Sequence, residues 1–222
     1  MSLTLAQKIL KRHDANFQLK YLQEALEDEK KRRISFREWI TPEVKAEFIH
    51  GEIITHSPVR KRHWYANDLL SRLLSVFVSV KNLGRVGTEK VMIGLTRNDY
   101  EPDLVFFSKE KVDKFKDDQV IFPAPDFVVE ILSKGTATID RTVKKADYAF
   151  HGIKEYWIVD PVKHRIEQYI LPEGAKEYFP AKVHQSGTEI KSFVIEGFEI
   201  PVNAIFDDKI NLETMKKLTK SD

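Results

Sequence analysis

Hydrophobic positions along this chain fall into two kinds of spacing. Ala66, Leu69, Leu70, Leu73, Leu74, Phe77 and Val78 recur every three or four residues, which predicts an amphipathic helix from Arg60 to Lys81. Asn82 and Gly84 supply its stop signal. Leu5, Ile9, Leu10, Phe17, Leu19, Tyr21, Leu22 and Leu26 recur roughly at helical spacing and predict a helical region over 4–31, which contains no Gly or Pro. The charge run Glu27–Arg33 that closes it reads as a solvated helix face, and the region as an accessory hairpin or a dimer arm. Shorter apolar runs read as strands. Lys45–His56 looks like two strands turning at His50-Gly51, 85–95 like one strand, and 101–107 like another after a proline. A charged loop over 108–119 leads to a strand at 126–132, a helix from about Thr138 to Phe150, and a strand at 154–160. Segments 164–171, 176–184 and 188–196 alternate between Pro/Gly turns and predict antiparallel strands, and GFEIPVNAIF a closing strand and anchor.

The order strand–helix–strand over 126–160 implies a right-handed crossover and a locally parallel pair. The rest looks antiparallel, so the expected fold is α/β, a mixed, curved sheet flanked by helices. Composition adds limits. The 222 residues are 42% hydrophobic and 32% charged with a net charge of +2, which permits a sizeable core. Such a balance gives no global pull toward nucleic acid, so a DNA-binding face needs local clusters of Lys and Arg. With no cysteine, disulfides, thiolate metal sites and cysteine nucleophiles are excluded, and a cytoplasmic location fits. The first residues lack the apolar segment and cleavage site of a secretory signal, and no apolar run is long enough to cross a bilayer. There is no P-loop, dinucleotide fingerprint, nucleophile elbow or H-E-x-x-H pair.

Chemistry enters through acids in apolar strands. Side chains alternate along a strand, so Asp103 shares a face with Val105 and Phe107, and Glu130 with Asp126, Val128 and Leu132. An unpaired buried charge is expensive. If the strands are neighbours the two acids converge, and one resists ionisation unless a cation lies between them. A hard divalent ion such as Mg²⁺ takes oxygen ligands and meets that need. Asp140, Lys144 and Tyr148 lie along one side of the following helix, so Lys144 reaches the acids if that helix packs back on the sheet. A lysine beside two acids and a metal suits phosphodiester hydrolysis. The ordinary reading of these residues is a strand-end acid in solvent and a helix-surface Asp–Lys pair worth about 0.3–0.5 kcal/mol. His63 reads as a buried, hydrogen-bonded histidine, Tyr148, Tyr156 and Trp157 as core, and Asp160-Pro161 as a turn.

The string PDFVVEILS, then Asp140-x-x-x-Lys144-x-x-x-Tyr148, then Gly152-Ile153-x-Glu155-Tyr-Trp-Ile-Val-Asp160-Pro161, resembles the Uma-two family of putative restriction endonucleases, within the PD-(D/E)XK nuclease superfamily. Glu47-Phe-Ile-x-Gly51-Glu-Ile, Ser57-Pro58, His63 and Pro102-Asp103-Leu-Val match upstream, and Gly197-Phe-Glu-Ile-Pro201 with Ile205-Phe206 downstream. The resemblance implies a restriction-endonuclease-like domain over 36–208, with an N-terminal helical extension at 1–35 and a C-terminal tail at 209–222. It also implies a Mg²⁺-dependent endonuclease, with Mn²⁺ an admissible substitute and DNA the substrate. Asp103 resembles the Pro-Asp acid, Glu130 the second acid, Glu47 the acid that completes the metal site, and Lys144 the lysine. The usual lysine position, two residues after the second acid, is Leu132 here. Lys134 rivals Lys144 if the Glu130 strand runs that far, but the loop signals at Ser133–Gly135 favour Lys144. Arg60, Lys61, Arg62, Lys134 and Arg141 are candidate phosphate contacts. The alternative is a nuclease-fold module that binds nucleic acid or a protein partner without cutting, and a homodimer built on the N-terminal helices is a third expectation.

Overall fold

The computed structural model describes residues 4–41 and 43–220. Two helices, α1 (Leu5–Leu10) and α2 (Ala15–Trp39), open the chain. The region expected as one helical stretch breaks between them, where Asp14 turns to hold the side chains of Arg12 and Gln18. It then runs on to Trp39, across the expected domain edge at 35. Only the second half of α2 packs on the rest of the chain. Phe36 enters a cluster with Ala46, Phe48 and Met92, while Arg33 and Arg37 both fork onto the buried carboxylate of Asp99 at 2.6 and 2.7 Å. The first half leaves Phe17, Leu19, Tyr21, Leu22 and Leu26 exposed.

Burial alone would raise the Asp99 carboxyl, but the two guanidiniums outweigh it and hold it below its ordinary value. A depressed carboxyl stabilises the fold in full above its unfolded value of about 3.9, and the contribution is lost as pH falls through the lower folded value. Asp99→Asn is therefore expected to lower stability at neutral pH and to flatten the acid limb below about pH 4. Urea unfolding across that range checks this, and an acid limb identical to wild type would show that the anchor carries none of it.

The strands are β1 (Ala46–Ile49), β2 (Glu52–Thr55), β3 (Gly84–Thr88), β4 (Met92–Gly94), β5 (Asp99–Tyr100), β6 (Leu104–Ser108), β7 (Ile121–Phe122), β8 (Phe127–Ile131), β9 (Glu155–Asp160), β10 (Arg165–Ile170), β11 (Lys182–Gln185), β12 (Glu189–Lys191) and β13 (Glu199–Pro201). A five-stranded sheet has the order β2-β1-β5-β4-β7, a six-stranded sheet the order β11-β10-β9-β8-β6-β3, and β12 pairs with β13. The β1–β2 hairpin turns at His50-Gly51, whose φ values of 50° and 86° suit the twist of a two-residue hairpin. The stretch 85–95 is not one strand. Glu89 and Lys90 turn with positive φ and send β3 and β4 into different sheets. Gly84 starts β3 at φ +150°, where an added Cβ would lie 2.0 Å from the Phe107 carbonyl oxygen.

Helices cover both sheets: α3 (Lys61–Val80), α4 (Lys109–Val112), then α5 (Ala137–Ile139), a π-helical turn (Asp140–Lys144) and α6 (Lys145–Phe150) as one continuous run, and α7 (Asp208–Leu218). The α4 turn lies within the expected loop at 108–119, and α7 within the expected tail. β8 and β9 are parallel across the crossover, as the strand–helix–strand order implies, and β4–β7 is a second parallel pair. Strand alternation sorts the core. Leu104, Phe106, Phe127, Val129, Trp157 and Val159 pack toward α3, whose whole predicted stripe is buried. Val105, Phe107, Val128, Tyr156 and Ile158 face the other way, onto Ile49, Ile93, Tyr100 and Tyr148. Among the described residues no helix is long and apolar enough to cross a membrane.

Candidate active site

The second of these faces carries the ionisable groups. Glu47 stands on β1 in one sheet and Glu130 on β8 in the other. The Lys144 ammonium donates to Oε1 of each at 2.9 Å, so one charge joins the two sheets. Lys144 is only 2% exposed. It reaches inward because the i→i+5 turn over Asp140–Lys144 widens the helix there, and such turns recur at functional sites. Asp140 is buried beside it, with Oδ1 3.7 Å from the ammonium, so the pair is not a surface pair. Tyr148, one turn on, does more than fill the core: its hydroxyl donates to Glu130 Oε1 at 2.9 Å.

Asp103 lies just before β6 rather than within it. Leu104 is opposite Val129, so extending that antiparallel register by one residue sets Asp103 across from Glu130. Its Oδ2 accepts from the Ile131 N–H at 2.7 Å and lies 3.2 Å from His63 Nε2, while Oδ1 is 3.6 Å from Lys45 Nζ. His63 is thus buried with Nε2 facing a candidate site acid, while its Nδ1 has no hydrogen-bond partner. Glu47 is held as firmly: Oε1 accepts from the Glu101 N–H at 2.9 Å, and Oε2 is 3.2 Å from His56 Nε2. His56 and Glu101 are absent from the sequence reading. The signal for His56 was present, because the β1–β2 register places Lys45, Glu47 and His56 on one face of the hairpin.

A cleft of about 660 Å³ opens over these groups, lined by Glu101, Asp103, Glu130 and Lys144 and by Lys45, Arg60, Arg62, Lys134 and Lys163. β8 ends at Ile131, so Lys134 lines the cleft beyond the strand, and of the two lysines it is Lys144 that contacts the glutamates. Arg141 lines the cleft too, but its guanidinium is engaged by Glu167 at 2.7 Å. Lys61 instead sits 4.7 Å over the Tyr65 ring.

The electrostatics follow from too many acids around one lysine. Burial pushes the Glu130 carboxyl well up, and the charges of Asp140, Asp103 and Glu47 add to it against the pull of Lys144. Burial raises Asp140 and Glu101 as well. Glu47 feels the same burial, but Lys144 and His56 outweigh it and bring its carboxyl down to about 2. Burial would lower Lys144, yet Glu130, Glu47 and Asp140 drive it well above its ordinary value, so it stays an ammonium. Glu101 Oε2 and both oxygens of Asp140 are buried without a hydrogen-bond partner. Surplus buried negative charge, oxygen donors and unpartnered carboxylate oxygens fit a hard divalent cation. Among the described residues no three acid or histidine side chains form a ready-made cage for one. Lys144 stands between Glu47 and Glu130, and Asp103 joins them through the Ile131 N–H rather than by direct contact.

A family model described as Uma2, putative restriction endonuclease, matches residues 34–203. The chain belongs to the Uma2 family. The Uma2 match takes in Glu47, Asp103, Glu130 and Lys144 and leaves α1, most of α2 and α7 outside. The crystal structure of a putative nuclease belonging to DUF820 from Anabaena variabilis has the same fold, with a TM-score of 0.66 over 77% of this chain and 94% of that one, at 18% identity. No curated protein matches the chain significantly. The α/β architecture expected from the sequence, a mixed sheet flanked by helices behind an N-terminal helical extension, is observed, with the strands divided between two larger sheets and the β12–β13 pair.

Proposed function

We propose that this Uma2 protein is a metal-dependent endonuclease that hydrolyses phosphodiester bonds in DNA, with Mg²⁺, or Mn²⁺ in its place. The observation that carries the reading is the buried Lys144 ammonium held by Glu47 and Glu130, in a cleft that Arg60, Arg62, Lys134 and Lys163 also line. Glu47, Asp103 and Glu130 would hold the ion, which when bound lowers the pKa of a water and offsets phosphate charge. Lys144 is kept protonated by its acids, so it acts as a hydrogen-bond donor and positive charge toward the phosphate and the incoming water, not as a base. Tyr148 orients Glu130, the Ile131 N–H and His63 orient Asp103, and the Glu101 N–H and His56 orient Glu47. Rim arginines and lysines meet the flanking phosphates, which makes binding salt-dependent.

Incubation of supercoiled plasmid with the protein and Mg²⁺ or Mn²⁺ is expected to give nicked product, abolished by EDTA and reduced as salt rises. DNA binding without cleavage under any divalent cation would overturn the reading in favour of a non-cutting module. Pairing of two copies through the exposed apolar side chains of α1 and α2 belongs to the same proposal, and sedimentation reads it.

A further inference from the structure

Lys144 presents a problem to any cation that binds here. Its ammonium already fills the place between Glu47 and Glu130, at 2.9 Å from each. A second positive charge on the same two carboxylates would repel it at close range. The ammonium therefore needs somewhere else to go, and among the described residues Asp140 is a nearby acceptor. Asp140 sits one turn back on the same widened helix, 1% exposed, with Oδ1 3.7 Å from Nζ and neither oxygen hydrogen-bonded. A shift of about 1 Å would bring that distance to an ordinary charge-assisted hydrogen bond. A buried carboxylate without a hydrogen-bond partner is costly to keep, and the Lys144 ammonium is the cation beside this one.

We propose that Asp140 is a positioning residue, the second seat of the Lys144 ammonium: the lysine shields Glu47 from Glu130 while no ion is bound and shifts onto Asp140 through one N–H when one is, which leaves its other N–H groups for the phosphate. This rests on the metal-dependent reading above and adds that cation affinity is set in part by where Lys144 can go. Asp140 touches neither substrate nor ion in this scheme and acts through the lysine alone.

A double-mutant cycle tests it by calorimetric titration of Mn²⁺ into wild type, Asp140→Asn, Lys144→Gln and the double variant. With Lys144 present, Asp140→Asn is expected to weaken Mn²⁺ about tenfold. In the Lys144→Gln background the same change is expected to do almost nothing, because no ammonium has to be rehoused. Equal weakening in both backgrounds would make Asp140 a ligand of the ion and overturn the proposal, as would no weakening in either. Should Lys144→Gln fail to fold, the Co²⁺ absorption spectrum separates the same cases: a spectrum unchanged in Asp140→Asn at lower affinity supports the proposal, and an altered one overturns it. Wild-type Mn²⁺ binding with plasmid cleavage upholds the nuclease reading however the cycle falls. Absence of any divalent-ion binding sinks both.

Discussion

Lys144→Met is expected to destabilise the protein by about 3–5 kcal/mol, the range seen when one partner of a buried ion pair is removed. For a domain of this size that is a fall in Tm of roughly 10 °C. The reason lies in what the methionine leaves behind. Glu47 and Glu130 come from different sheets and face each other through the ammonium, with Asp140 and Asp103 adding charge of the same sign. Without it, at least one glutamate must take up a proton or repel the other in a buried site. The loss should therefore be largest at neutral to alkaline pH, where both carboxylates are ionised in the unfolded chain, and smaller near pH 4, where protonation is cheap. Combining Lys144→Met with Glu47→Gln and Glu130→Gln should recover much of it, since an uncharged, filled site no longer needs the ammonium. Thermal unfolding of the variants at several pH values measures this. A Lys144→Met protein within about 1 kcal/mol of wild type would show that the lysine is not what neutralises the site.

The reach of the sequence differs between elements for physical reasons. The α3 stripe and the period-two alternation of β6, β8 and β9 are core signals, and the buried residues confirm them almost one for one. The helix bearing Asp140, Lys144 and Tyr148 was legible because the three recur at four-residue spacing; Lys144 and Tyr148 reach Glu130, and Asp140 lies beside Lys144. α7 was not, because its buried face is built on Asn211 and Thr214, and Asn211 donates to the carbonyls of Leu69 and Ala204 instead of adding an apolar position. β5 and β7 are two residues each, too short to show any period. Asp103 was found as a candidate from two neighbouring strands, and the β6–β8 register does set it across from Glu130; it lies one residue before β6, where its side chain turns onto the Ile131 N–H. The clamp of Arg33 and Arg37 on Asp99 joins residues more than sixty apart, and nothing local marks it. Charge in Glu27–Arg33 read as solvated is in part this clamp, with Glu29 bound to Arg97 at 2.6 Å.

Glu130→Gln is expected to lower cleavage by about 10³-fold or more while leaving the fold intact. On the proposed metal-dependent reading, several kcal/mol of transition-state stabilisation would depend on an ion whose donors include this carboxylate, and each 1.36 kcal/mol is a factor of ten. Stability should move the other way. Glu130 is the acid whose charge is least welcome, pushed up by burial and by Asp140, Asp103 and Glu47. A neutral amide of the same shape removes that repulsion, and its carbonyl oxygen can still accept from Lys144 and from the Tyr148 hydroxyl. In the absence of divalent ions the variant should therefore melt at or above the wild-type temperature, and added Mn²⁺ should shift wild type upward but not the variant. Two assays on one protein, plasmid nicking and thermal unfolding with and without Mn²⁺, give four readings. Lost cleavage with a retained or raised Tm is the signature of a charge kept for chemistry at the expense of the fold. Lost cleavage with a Tm several degrees lower would make Glu130 a structural partner of Lys144, and retained cleavage would remove it from the site.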